Sequence, residues 1–426
     1  MFTQRKSKGL KVAAVAASAA MMMSLAACAS DDSTGDADAP IELRMAWWGD
    51  DNRHAVTNAA LDRFEDLNPG ITVVRDFSGF DGYLDKITTQ YTGGNSPDVF
   101  QFYNEVLVEF ASRGQLSDLS ASVSQDGWDK ELLQASTIDG ELAAMPFGLS
   151  TQGFIFDTTS VEALGLTAPS GDYSWDDLAD FAAQVRTASG GALAGVTDLS
   201  HGYQVFEVWA KQQGEDFMDA EGLAFSEKTL ADYWQYWADL RASGGATAPD
   251  ITSEYQGTPY DAVVAGVAAS TFLFTNQYDG VQGRTPNVIS LERFPGEGDS
   301  AGQYMRTAMN LVISKQSKHQ EAAAKLVDFL LNDEEANGIL GLNRGFPANA
   351  NVIGAASEGA NENVQRAIEI FESVRENGAP APVPAPAGAG TVNTLFAEIA
   401  QQIQFGQTTP AEGAKAFMAQ AASELG

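Results

Sequence analysis

Apolar and polar residues alternate along IELRMA (41–46), the period of a strand with one buried face. Residues 55–67 switch to helical spacing through Ala59, Ala60, Phe64 and Leu67, and Asn68-Pro69-Gly70 stops the run. ITVVRDF (71–77) reads as a second strand, and a helix follows around residues 83–91. Ser96-Pro97-Asp98, a turn held by Asp98, then leads into the short apolar strand Val99-Phe100-Gln101-Phe102. Strands alternating with helices predict a parallel α/β sheet with right-handed crossovers, and such sheets bind ligands beyond the C-terminal ends of their strands. Trp47 and Trp48 lie at one such end, and Tyr103, Asn104 and Glu105 at another. Because side chains alternate faces in a strand, one surface cannot bury both indoles.

The later pattern is similar. GFIFDTTSVEALGL (153–166) reads as strand, turn and short helix, and SWDDL opens a helix with Ser174 as N-cap and Asp177 closing a capping box. Residues 227–243 form a helix whose Tyr233, Trp234, Tyr236 and Trp237 have the spacing of core packing. Residues 263–274 read as a helical turn leading into a strand, and residues 314–331 as a strongly amphipathic helix. Residues 391–425 read as two helices around a Gly406–Pro410 break. GAPAPVPAPAGAG (378–390) reads as an extended polyproline-like surface crossing.

Composition and the first residues add an address. Arg5, Lys6, Lys8 and Lys11 precede an Ala/Val/Met-rich stretch. That stretch, at roughly 16 residues, is short for a membrane span but suits a signal segment. It ends in Leu25-Ala26-Ala27-Cys28, which resembles the lipobox of bacterial lipoproteins, with Cys28 as lipidation site and new N-terminus. Cys28 is the single cysteine, so the body has no internal disulfide and depends on its core. DDSTGDADAP beyond it reads as a disordered tether holding the body at the outer face of a membrane. The net charge of −32 argues against nucleic acid or an anionic membrane surface as partner.

The parts, taken in order, resemble the carbohydrate type (family 1) of extracellular solute-binding lipoproteins that feed bacterial ABC importers. The resemblance rests on the lipobox, WWG with DDNRH, FEDLNPGITV, NSPDVFQFYNE and PFGLSTQGFIFDTTSVEALGL. SWDDLADFA, SKQSKHQEAAAKLVDFLLNDEEAN, RGFPAN and the closing helix pair follow in family order. It implies an α/β, two-lobed periplasmic-binding-protein-like fold of type II, with discontinuous lobes joined by a hinge around a sugar-binding cleft. Residues 1–27 would be the signal peptide and 28–40 the tether. Residues 41–150 with 308–343 would form the first lobe, and 151–307 with 344–426 the second. The crossings fall near residues 150–153, 304–310 and 344–347.

A sugar offers an apolar C–H face to aromatic rings and a hydroxyl rim to amides, carboxylates and guanidinium groups. Trp47 or Trp48 would supply the ring, Trp48 being favoured, and Asp51, Asn52 and Arg53 on the following loop the polar grip. Tyr103, Asn104 and Glu105 form a second hydroxyl-binding set, although Asn104 also suits a helix N-cap. Thr151 and Gln152 at the hinge, Trp209 and Asn276 from the second lobe, Arg306 and Asn310 at the second crossing, and Arg344, Gly345 and Phe346 at the third complete the candidates. Trp209 also suits core packing, and Gly345 an ordinary turn.

His54, His201 and His319 are scattered, and metal-ligand spacings, nucleophile elbows and phosphate loops are missing from the sequence, so neither enzyme activity, metal nor cofactor is expected. The expected partners are a sugar, here an oligosaccharide, the permease subunits and, through Cys28, the membrane, with the protein a monomer. A secreted polysaccharide-degrading lipoprotein, or the same fold binding a non-sugar solute such as a polyamine, are the alternatives.

Overall fold

The computed structural model describes residues 40–298, 301–382, 386 and 388–425, the side chains of Asn104 and Glu105 excepted. The expectations for the signal segment, for Cys28 and for the tether as far as residue 39 lie outside the described residues.

Two sheets organise the chain. The first has five strands: β1 (Ile41–Trp48), β2 (Ile71–Ser78), β3 (Val99–Phe102), β4 (Met145–Ser150) and, from much later in the chain, Arg306–Ile313. The second has three: β5 (Gln152–Asp157), β6 (Ser270–Phe274) and β7 (Ile289–Glu292). With Arg306–Ile313 as β8, the first sheet runs in the order β2-β1-β3-β8-β4 and the second β6-β5-β7. β1 pairs in parallel with β2 and β3, whereas β8 is antiparallel to both β3 and β4. This is the two-lobed α/β fold expected, with one reversed strand inside the otherwise parallel sheet.

The alternation of β5 assigns its faces. Phe154 and Phe156 point into an aromatic second-lobe core with Tyr233, Trp234, Trp237, Phe396 and Phe417. Ile155 faces the other way, with Leu273 and Leu291, into apolar packing continuous with the first-lobe core. The final helices, Ala389–Gln404 and Pro410–Leu425, belong to the aromatic core, the first through Val392 and Phe396 and the second through Ala414 and Phe417.

Three local departures from the sequence pattern have physical causes. The first helix spans Asp51–Leu67, starting four residues before Ala55, because the Asp50 carboxylate accepts the Arg53 N–H at 2.8 Å and caps it. Asp51, Asn52 and Arg53 are therefore its first turn and not a loop. The amphipathic helix spans Gln320–Asn332 rather than starting at Ser314. Asp98 holds the preceding residues in a turn, its carbonyl accepting from Ser314 N at 2.9 Å and its carboxylate from Ser317 Oγ at 2.6 Å.

The third departure moves a crossing. Residues 344–356 stay with the first lobe: Leu149 and Phe346 exchange backbone hydrogen bonds at 2.7 and 2.8 Å, and Ala350 N donates to Gly127 O at 2.9 Å. The chain changes lobe only between Ala356 and Glu362, after which Arg366 on the helix Glu362–Asn377 binds Leu291 O at 3.0 Å and Glu292 at 2.8 Å. Gly345 permits the turn. Its φ is +99°, and a Cβ there would lie 2.2 Å from the Leu149 carbonyl oxygen.

Candidate functional site

Parallel strands end on the same edge, so β1, β3 and β4 deliver Trp48, Tyr103 and Ser150 to one place. β8 runs the other way and starts where they stop, with Arg306 opposite Ser150 in register. Beside this edge lies a cleft of about 1020 Å³, whose lining includes Trp48, Asn52, Arg53 and Tyr103 from the first lobe and Phe274 and Asn276 from the second.

The tandem tryptophans divide as the pleat requires. Trp47 is fully buried, its Nε1–H donates to His54 Nδ1 at 3.1 Å, and Phe77 covers its ring at 5.0 Å between centroids. Trp48 borders the cleft and meets Tyr83, Phe80 and Tyr103 edge-on at 5.1, 5.7 and 6.0 Å. Only 7% of Trp48 is exposed, whereas Phe80 is 60% exposed and extends the aromatic wall towards solvent. Tyr83 anchors the wall from behind: its hydroxyl sits 3.1 Å from Ala46 O and 2.9 Å from Gln101 O, and burial raises its pKa well above the usual phenol value.

Polar groups surround the wall. Arg53 is half-buried and reaches across the chain, Nε donating to Asn343 Oδ1 at 2.8 Å and Nη2 to Asn343 O at 2.9 Å. Burial lowers its pKa, partly opposed by the charge of Asp50. On the opposite wall the guanidinium of Arg306 lies 4.6 Å over Phe274, and that of Arg284 lies 5.3 Å over Tyr260.

Of the residues expected in a site, Trp48, Asn52, Arg53, Tyr103, Asn276 and Arg306 meet in this cleft. The others whose side chains are described lie elsewhere. Trp47 is core, and Asp51 is exposed on the first helical turn outside the lining. Asn104 and Glu105 are the first helical residues of Asn104–Ser112, and Tyr103, not Asn104, occupies the N-cap. Thr151 and Gln152 are buried within the crossing, where Thr151 Oγ1 donates to Tyr304 O at 3.0 Å and Thr275 N to Thr151 O at 2.9 Å. Trp209 packs against Trp175, Tyr236 and Tyr233 at 5.2, 5.6 and 5.7 Å. Asn310 is buried in mid-strand opposite Phe102. Arg344 is buried beneath the β1 end, donating to Gln101 Oε1 at 3.0 Å and Thr57 Oγ1 at 2.6 Å. Gly345 forms the turn already described, and Phe346 stacks on Phe371 at 3.7 Å.

Phe80, Asn343, Tyr260 and Arg284 line the cleft without having been singled out. Phe80 had a signal: Gly79-Phe80-Asp81-Gly82 follows a parallel strand, whose end must share the edge of its neighbours. Among the described residues, there is no group of three or more His, Cys, Asp or Glu side chains able to hold a metal, and no helix is long and apolar enough to cross a membrane.

Comparison with known proteins agrees with this architecture. A family 1 extracellular solute-binding protein from Alicyclobacillus acidocaldarius superposes with a TM-score of 0.70 at 29% identity, over 92% of this chain and 100% of its own. An oligogalacturonide-binding protein from Yersinia enterocolitica, in complex with saturated digalacturonic acid, shares the fold with a TM-score of 0.77 at 24% identity, over 91% and 100%. The maltodextrin-binding protein MdxE of Bacillus subtilis is 21% identical over 84% of this chain and 86% of its own. The sequence profile of the bacterial extracellular solute-binding proteins matches residues 50–337. With its two lobes and its cleft at the strand ends, the chain belongs to this family, family 1 of the solute-binding proteins of ABC transporters.

Proposed function

We propose that the protein captures an oligosaccharide in the cleft, closes around it by rotation at the crossings and delivers it to the permease subunits of an ABC importer. The observation that carries this reading is the aromatic wall of Trp48, Phe80 and Tyr103, bordered by the amides of Asn52, Asn276 and Asn343. Rings of this kind cover the apolar faces of pyranoses, and amides pair with their hydroxyls in both donor and acceptor senses. The cleft volume of about 1020 Å³ leaves room for more than one sugar ring. Closure would bury rings and amides from both lobes, and the closed form would be the one the permease engages.

Calorimetric titration with mono- and oligosaccharides tests the ligand class. Saccharide binding lost on truncating Phe80 supports it; tight binding of a peptide or polyamine with no saccharide bound overturns it. The lipobox-like Leu25-Ala26-Ala27-Cys28 supports reading the protein as held at the outer face of the membrane by lipid on Cys28. Metabolic labelling with palmitate checks this anchor, since label retained by a Cys28→Ser chain refutes it.

A further inference from the structure

The cleft differs in charge from the rest of the molecule. The chain has 57 Asp and Glu against 25 Lys and Arg, yet among the described side chains the lining holds three of each: Asp50, Asp279 and Glu358 with Arg53, Arg284 and Arg306. Depth separates the two signs. All three carboxylates are exposed, whereas Arg53 and Arg306 are half-buried. Asp50 is already engaged as the helix cap, and Asp279 accepts from Asn361 Nδ2 at 2.9 Å. Arg284 is exposed and paired with Asp261 at 2.5 Å.

Arg53 and the buried Arg344 behind it have a different environment. Their guanidinium groups donate to neutral partners, Asn343 for the first and Gln101 and Thr57 for the second. Nη1 of Arg344 has no hydrogen-bond partner, the residue is only 4% exposed, and its guanidinium lies 4.6 Å over the Phe147 ring. The two cations also feel one another: burial lowers the pKa of Arg344 well below the usual value, and the charge of Arg53 lowers it further, against the opposing charge of Asp50. Arg53 lies moreover in the first turn of a 17-residue helix, where the backbone dipole already presents its positive end. Two neighbouring guanidinium groups, one half-buried and one buried, without an ion pair among the described residues are costly, and an arriving anion offsets that cost.

We propose that this floor receives the carboxylate of an acidic sugar, so that the preferred ligand is a uronate-containing saccharide. The inference rests on the saccharide reading above and adds the charge of the ligand to it. The aromatic wall would hold the ring, and the Arg53 guanidinium would meet the carboxylate with the planar fork that suits it. Arg344 would act from behind as a positioning charge, without touching the sugar.

The test compares ligands that differ in charge alone. Trigalacturonate and an alginate trisaccharide are titrated calorimetrically beside their methyl esters and beside maltotriose, at low and at high salt. At least one acid is expected to bind about 10-fold or more tightly than its ester, with the gap narrowing as salt rises. Arg53→Gln, with its fold checked by circular dichroism, should bring the acid-to-ester ratio towards one, and Arg53→Lys should retain part of it. Esters or maltotriose binding as tightly as the acids would overturn the acidic ligand and leave the saccharide reading standing. A ratio unchanged in Arg53→Gln would overturn the role of the floor. Binding of none of these saccharides would count against both readings.

Discussion

Replacing Phe80 and Trp47 separately by Ala separates the binding wall from the core beneath it. Trp47 is fully buried and hydrogen-bonded to His54, so its truncation leaves a cavity and an unpaired imidazole nitrogen. Burial on this scale makes Trp47→Ala cost about 3–5 kcal/mol of stability. Phe80, 60% exposed, buries only the part of its ring that meets Trp48 and Tyr103. From the 1.5–3 kcal/mol of a fully buried Phe, its truncation costs about 1 kcal/mol or less. Covering the exposed part of Phe80 with a sugar ring, plus the stacking term, is worth about 1–2 kcal/mol, so Phe80→Ala should weaken saccharide binding roughly 10-fold. Urea denaturation followed by tryptophan fluorescence gives the stabilities, and calorimetry with a bound saccharide gives the affinities. Equal stability losses for the two variants, or an unchanged affinity in Phe80→Ala, would refute the division. Trp48, only 7% exposed, cannot make this distinction, because its loss would damage packing and binding together.

Two further predictions concern the frame around the cleft. Burial raises the pKa of the Glu207 carboxyl above its usual range, outweighing the hydrogen bond from Tyr304 Oη and the charge of Lys211. The native state therefore holds this proton more tightly than the unfolded chain, and the stability it contributes at acid pH is lost as pH rises through the raised value. Glu207→Gln keeps an acceptor for Tyr304 and removes the titration, so thermal melts from about pH 4 to about pH 8 should show the variant gaining on the parent as pH rises; a constant difference would refute the assignment. Gly345→Ala combines a φ of +99° with a Cβ placed 2.2 Å from Leu149 O, and should cost about 3 kcal/mol in urea denaturation, an effect below 1 kcal/mol arguing against the close approach.

The residues legible in the sequence were those whose position follows from the chain next to them. The alternation of β1 required Trp47 and Trp48 to part company, and the end of a parallel strand required one of them and Tyr103 to reach the cleft edge. The order of strands and helices carried the parallel sheet, and the family resemblance the two lobes. What escaped depended on partners far away in sequence. Arg53 finds Asn343, 290 residues on, and this contact makes Asn343 part of the lining. Arg344 and Phe346 were expected at a crossing because the family resemblance put one near residues 344–347. Their assignment came from Leu149, whose backbone pairs with that of Phe346, and no local pattern encodes that choice. The early helix start was a nearer miss, since Asp50 three residues before Arg53 is an N-cap signal in its own right.

The reversed strand β8 sets a schedule for folding. It lies between β3 and β4 and is the neighbour that joins β4 to the first sheet. A nascent chain ending just after Ser150 thus holds β3 and β4 with unsatisfied edges facing each other across an empty lane. The lane is filled only when Arg306–Ile313 has been made, after the whole first pass through the second lobe. The first sheet thus closes only after all three strands of the second have been made, and the chain stays incompletely paired through most of its own synthesis.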